Sequence, residues 1–264
     1  MDFVNCFGNN PGEDKPVVFE LTTLDELNDY FFDKNDEYVW RGQSNFMWAA
    51  HPTLYRRLKN SGYCDERIFE PVIGRAERCI LERAREEGLL GSDDSVFEFM
   101  ARLQHHGGAT RLLDVTTNYQ VALYFAASEH PEMVGTVIAY RINPERRISQ
   151  KVRDGKALPA WDELLDMARK GRPLLVEPAP YDRRIVVQSG AFLMTSLAGS
   201  LSEPNIFTHQ TYDCEVAQIL IAPQLKPILI EHLEDRGITR EFLFPSIEGF
   251  AKKSGADKPL VGLG

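Results

Sequence analysis

Apolar residues recur at helical spacing in some stretches of this chain and in short, nearly unbroken runs in others, and the two patterns interleave. A capping pattern, TTLDEL, opens a helix near Thr22 with Leu24, Leu27 and Phe31 on one face. EYVWRGQ (37–43) predicts a short strand that ends at Gly42. From Cys64 to Glu87, residues such as Ile73, Ile80, Leu81 and Ala84 recur at helical spacing, and the opposite face, thick with Arg and Glu, reads as solvated surface. DDSVFEFMARLQHH (93–106) predicts another helix, its aspartates suited to an N-terminus and Gly107-Gly108 to a C-cap. YQVALYFAASE (119–129) predicts a third. GTVIAYRI (135–142) and CEVAQILIA (214–222) predict strands, and RRIVVQSGAFLMTS (183–196) predicts two short strands around Ser189-Gly190. The tail after Pro223 predicts a helix, a turn at Gly237 and a last short helix. Residues 143–160 read as a charged loop, and residues 1–16, rich in Gly, Asn and Pro, as a flexible lead-in.

Strands and helices without strict βα alternation predict an α+β fold, with mixed or antiparallel sheets and surrounding helices, in a single domain over 17–264. A hydrophobic content of 43% is enough for a sizeable core. The balance of 30 basic against 39 acidic residues, net −9, argues against a generic polyanion binder, because affinity for phosphate backbones comes from dense Lys and Arg. It leaves room for a local basic pocket. The four cysteines show no paired spacing and read as reduced thiols. No signal-like segment opens the sequence, and no apolar run approaches the roughly 18 residues needed to span a bilayer. The expectation is a cytoplasmic protein without membrane contact.

Familiar chemistry is missing. The chain holds no G-x-G-x-x-G after a strand, no phosphate-binding P-loop, no H-E-x-x-H and no G-x-S-x-G elbow. His105 and His106 are adjacent at a helix end and point in different directions, so no metal site is expected.

Two polar clusters remain. In YVWRGQS (38–44), Arg41 sits inside an apolar strand, where a guanidinium needs a partner. Its planar fork suits a phosphate or carboxylate, and Gly42 would let a ligand approach the backbone. An internal ion pair with an aspartate such as Asp114 is the structural alternative. In QHHGGATRLLDVTTN (104–118), Gly107 and Gly108 permit a sharp turn, and Asp114 or Thr116 suits a cap for the helix that follows. A cap alone accounts less well for Gln104, His105 and Arg111, so the two clusters together read as a site.

These residues carry a resemblance. WRGQS (40–44), HPTLYRR (51–57), QHHGGATRLLDVTTNYQVALYFA (104–126), RRIVVQSGAFL (183–193) and GITREFLFPSIEGFAK (237–252) strongly resemble the FRG-domain family, whose aromatic–Arg–Gly signature is here Trp40-Arg41-Gly42. The order of these pieces also resembles the NAD-binding order of ADP-ribosyltransferases. That second likeness implies an ADP-ribosyltransferase-like core, with Arg41 on the pyrophosphate of NAD and Thr116-Thr117 framing nicotinamide. It further implies a late acid, for which RRIVVQSGAF offers Gln188, CEVAQILIAP offers Glu215, and Asp114 is a third choice.

Such chemistry needs phosphate anchors and an anion or polar oxygen near a developing ribosyl cation. Arg41 and Gly42 suit the first task. Gln43, His105 and Thr110 suit ribose or carboxamide contacts, and Asp114, Gln188 or Glu215 suits the second task. Arg111 and Thr116 complete the expected NAD-binding set. The resemblance implies the toxin of a bacterial toxin–antitoxin or antiphage system, with a possible antitoxin partner and a macromolecular acceptor. The basic stretch at 141–156 slightly favours nucleic acid over protein as that acceptor. The competing readings are a non-catalytic nucleotide or nucleic-acid binding module, with Arg41 and Arg111 clamping phosphate, and a metal-dependent nuclease.

Overall fold

A computed structural model describes residues 17–31, 37–62, 70–149, 158–168, 173–180, 182–195 and 214–245. The lead-in read at 1–16 lies outside them. The strands are β1 (Val17–Leu21), β2 (Tyr38–Gln43), β3 (Leu113–Thr116), β4 (Gly135–Ile142), β5 (Arg147–Ser149), β6 (Leu174–Glu177), β7 (Gly190–Met194) and β8 (Cys214–Ile221). They join in one mixed sheet in the order β1-β8-β4-β2-β3-β7-β6-β5. Only β1–β8 and β5–β6 run parallel. The helices are α1 (Leu27–Phe31), α2 (Thr53–Asn60), α3 (Glu70–Glu86), α4 (Val96–His105), α5 (Tyr119–Ala127), α6 (Trp161–Met167), α7 (Arg183–Val187), α8 (Lys226–Glu234) and α9 (Arg240–Leu243). This is the α+β fold expected.

One face of the sheet carries two separate cores. Trp40, Val137, Ala139 and Ile219 of the β2–β4–β8 half pack against α5 and α8. Phe192, Met194 and Val176 of the β7–β6 half pack against α3, α4 and α6. On the other face the alternating residues of both halves, such as Val39, Tyr140 and Leu193, merge into one cluster drawn almost wholly from strands. One face is therefore continuous and the other is divided where β2 meets β3.

Local chemistry sets the elements around that division. Ser95 caps α4 by accepting from the Glu98 amide, so the start falls one residue past the two aspartates. Its end is a Schellman turn: Gly107 N–H donates to the Gln104 carbonyl, Gly108 N–H donates to Leu103, and Gly107 takes φ +80°. Asn118 caps α5 through the Gln120 amide, a task the sequence had offered to Asp114 or Thr116. α5 lies close on the sheet because Gly42 and Gly135 lack side chains. A Cβ on Gly42 would stand 1.8 Å from the Ala122 carbonyl oxygen, and one on Gly135 2.3 Å from that of Ala126.

Four expectations change. The helix read as opening near Thr22 starts only at Leu27, after an irregular stretch at 22–26. RRIVV is the helix α7, capped by Asp182, and only the residues after Ser189 form a strand. The charged loop at 143–160 contains a 3-10 turn (Pro144–Arg146) and β5. The charged face of α3 is not wholly solvated, since Glu77 is buried with Ile73, Leu81 and Ala84.

Candidate functional site

β2 pairs with β4 along its whole length, and β3 pairs with β7 along all four residues. Between them β2 and β3 share one register pair, Trp40 with Thr116, and then part. Arg41 fills the opening. Its Nη1 donates to the backbone carbonyl of Asp114 at 2.8 Å, and its Nε donates to Oε1 of Gln43 at 3.0 Å. Gln43 is buried and its Nε2 donates to the Trp48 carbonyl at 2.7 Å. An amide fixed on one side thus sets the plane of a guanidinium on the other. Both oxygens are neutral. Among the described residues Arg41 forms no salt bridge and its Nη2 has no partner, so it meets Asp114 through the backbone and leaves the carboxylate free of it.

A cavity of about 270 Å³ opens here, with Arg41, His105, Asp114, Thr116, Arg184 and Gln188 among its lining and Phe125 on the α5 side. The Asp114 residue is exposed. Burial, partly offset by Asp114 and Asp182, holds the Arg184 guanidinium below its ordinary range. Burial, then the Arg184 charge, lowers the His105 imidazole, which stands 4.0 Å from the Asp182 carboxylate. Both effects favour the neutral imidazole, against the opposing pull of Asp182. A second cavity of about 550 Å³ adjoins the first and shares Arg41, Gly42 and Phe125 with it.

Of the residues read from sequence, Arg41, Gly42, His105, Asp114, Thr116 and Gln188 line the first cavity. Gln43 stands behind Arg41 as its positioning partner. Thr116 serves the wall: its hydroxyl donates to the Gln188 carbonyl at 2.7 Å and accepts from the Asn118 amide at 3.0 Å. The Gln188 amide nitrogen donates to the Leu243 carbonyl at 3.0 Å. The space left by the missing side chain of Gly42 is filled by α5, which replaces the ligand approach expected there.

Three residues stand apart. Thr110 has no exposed surface, and its hydroxyl bonds the Gln104 side chain while accepting from the Leu112 amide. Arg111 is 3% exposed and is paired with Glu77 and, at 2.8 Å, with Glu70. Neither has surface to offer a ligand. Glu215 lies on β8 opposite Arg141, whereas the row through Arg41 crosses β4 at Ile138 and β8 at Gln218. Its backbone is thus two strands and three residues away.

Arg184, Arg56, Phe125 and Trp48 belong to the cleft and were not anticipated as site residues. The Asp182 cap ahead of RRIVV is the signal that would have made α7 a helix and turned Arg184 inward.

Residues 36–133 match the FRG domain. That segment carries an FRG domain. The match runs from the approach to β2 through α5, so it contains Arg41, His105, Asp114 and Phe125, while Arg184 and Gln188 come to the cleft from beyond it. No curated protein and no solved structure matches the chain. Among the described residues no group of three or more His, Cys, Asp or Glu is placed to hold a metal ion, and no helix is long and apolar enough to cross a membrane.

Proposed function

We propose that the FRG domain binds NAD in this cleft and transfers ADP-ribose to a macromolecule. The observation that carries the reading is Arg41, a guanidinium held by two neutral oxygens at the waist between two cavities, with one nitrogen left unpartnered among the described residues. Fixed orientation and uncompensated charge are what a phosphate anchor requires. The first cavity, about 270 Å³ with Arg41, Asp114 and Arg184 on its lining, offers more room than a single small anion needs and suits the ribose–phosphate part of a nucleotide.

When bound, NAD supplies a glycosidic bond whose cleavage releases nicotinamide and places positive charge on the ribose ring. In this reading Arg41, seconded by Arg184, holds phosphate. The exposed Asp114 carboxylate lies on the same cavity and opposes the developing charge, a contribution worth about two to three powers of ten in rate. Neutral His105 is in the right state to take a proton from an acceptor group. Thr116 and Gln188 shape the wall. The toxin setting, with an antitoxin silencing the enzyme, goes with this reading as part of the proposal.

The test is release of nicotinamide from NAD by the purified protein. Turnover in the wild type, lost in Arg41→Ala and reduced about hundredfold or more in Asp114→Asn, is the expected result. Binding of NAD without turnover reassigns the cleft to a nucleotide-binding module, and neither binding nor turnover overturns the reading.

A further inference from the structure

The run from Tyr38 to Gly62 holds no Asp or Glu, in a chain whose net charge is −9. It carries Arg41, Arg56, Arg57 and Lys59, and between them Phe46, Met47 and Trp48. The structure folds this run around the second cavity. Arg57 turns away, donating through Nη2 to the Gly107 carbonyl at 2.7 Å. Arg56, which donates through Nη2 to the Thr53 hydroxyl at 3.1 Å, and Lys59 line the cavity from exposed positions on α2. Burial, then the neighbouring Arg41 charge, lowers the Arg56 guanidinium, with Asp114 acting in the opposite sense, so Arg41 and Arg56 stand close enough to feel one another. One carboxylate, Glu129, lies among the lining.

The rim is aromatic and apolar. Trp48 is 49% exposed and Met47 69%, both on the cavity lining, and Phe46 beside them is 39% exposed. Trp48 is not loose: His130 stands edge-on to it with ring centroids 5.2 Å apart, and its carbonyl is the acceptor that holds Gln43. A fixed, half-exposed indole beside two cations matches the needs of an unpaired nucleotide, with a π-face for the base and charge for the backbone. The lack of any Asp or Glu from Tyr38 to Gly62 favours a polyanion over a folded protein as the occupant.

We infer that the second cavity is the acceptor subsite and takes a nucleotide of single-stranded nucleic acid, its base on Trp48 and its phosphates on Arg56 and Lys59. The inference rests on the transfer reading for the chemistry and on the cavity alone for the binding. In the transfer, a lone pair on a base nitrogen or oxygen forms the bond to the ribose carbon as the carbon–nicotinamide bond breaks. Nicotinamide leaves with that electron pair as the neutral molecule, and the acceptor's proton passes to His105 or to solvent. The shared wall of Arg41, Gly42 and Phe125 is where the two sites meet.

Fluorescence anisotropy with a short labelled single-stranded RNA, its DNA counterpart and the matching duplex tests the binding without NAD. Single strands are expected to bind more tightly than the duplex. Trp48→Ala weakens that binding about tenfold and Trp48→Phe restores most of it. Arg56→Gln with Lys59→Gln lowers the slope of log affinity against log salt by about 1.4, the value for two single-strand phosphate contacts. Equal affinity for duplex and single strand, or no effect of either change, overturns the inference. On the same preparation, biotin-labelled NAD added to a cell lysate is expected to leave nuclease-sensitive label. Protease-sensitive, nuclease-resistant label makes the acceptor a protein and overturns it too. Oligonucleotide binding without nicotinamide release keeps the nucleic-acid site and removes the transfer chemistry, so the two failures are distinguishable.

Discussion

Arg41 and Arg111 both stand in apolar stretches and both attract attention in the sequence, yet the fold treats them oppositely. Arg111 is sealed against Glu77 and Glu70, so its charge is cancelled inside the protein and its role is to pin the polar turn to α3. Arg41 is held as firmly, but by an amide oxygen and a backbone carbonyl, which fix its direction without cancelling its charge. What separates the two arginines is therefore the charge of their partners more than their burial, and the proposed phosphate-anchoring role of Arg41 rests on that difference. A guanidinium surrounded by neutral acceptors at the edge of a cavity still has an anion to find.

The comparison breaks most visibly at Arg111. Arg111→Met strands the buried Glu77 carboxylate and is expected to cost about 3–5 kcal/mol of unfolding free energy in urea. Adding Glu77→Leu should recover much of that loss, because the two residues form one unit. Recovery absent, the pair is not the reason for the cost.

Gly42 sharpens the contrast from beside Arg41. Gly42→Ala pushes a methyl group against the Ala122 carbonyl and is expected to cost about 1–3 kcal/mol by the same measurement. Arg41→Ala, which removes two hydrogen bonds to neutral groups, should cost about 1 kcal/mol. The reverse order would make Arg41 the structural member of the pair.

The smallest effect is a pH dependence at His105. Its folded pKa lies below the unfolded value of 6.5, so the unfolded chain takes up the proton first as the pH falls. The stability it contributes is complete above that value and is lost as the pH drops through the lowered folded one. His105→Gln should shrink the loss of stability between neutral and mildly acid pH, read as the shift in urea midpoint. An unchanged shift excludes His105 as its source.

Where a segment's own chemistry decides its conformation, the sequence was readable. The strand that carries Arg41-Gly42, the double-glycine stop after His105, the helix YQVALYFAA and the long strands β4 and β8 all follow from local pattern. RRIVV misled because Ile-Val-Val has the β-branched character of a strand, and the capping Asp182 outweighs it in so short a piece. β3 was hidden because its four residues, LDVT, sit within a polar segment and pair through long-range partners on β7 and at Trp40. The same limit applies to the site. Arg41 and Asp114 come from recognisable segments, but the Glu77 partner of Arg111 is 34 residues away on a helix face that looks solvated. Likewise, Arg184 reaches the cleft only because α7 is a helix.

The most direct measurement is calorimetric titration of NAD into the wild-type protein and into Arg41→Ala, with the unfolding midpoint of each recorded alongside. The account predicts saturable binding in the wild type, an affinity about a hundredfold lower in the variant, and nearly equal midpoints. Equal affinities, or a variant that loses its fold as Arg111→Met is expected to weaken it, would contradict it.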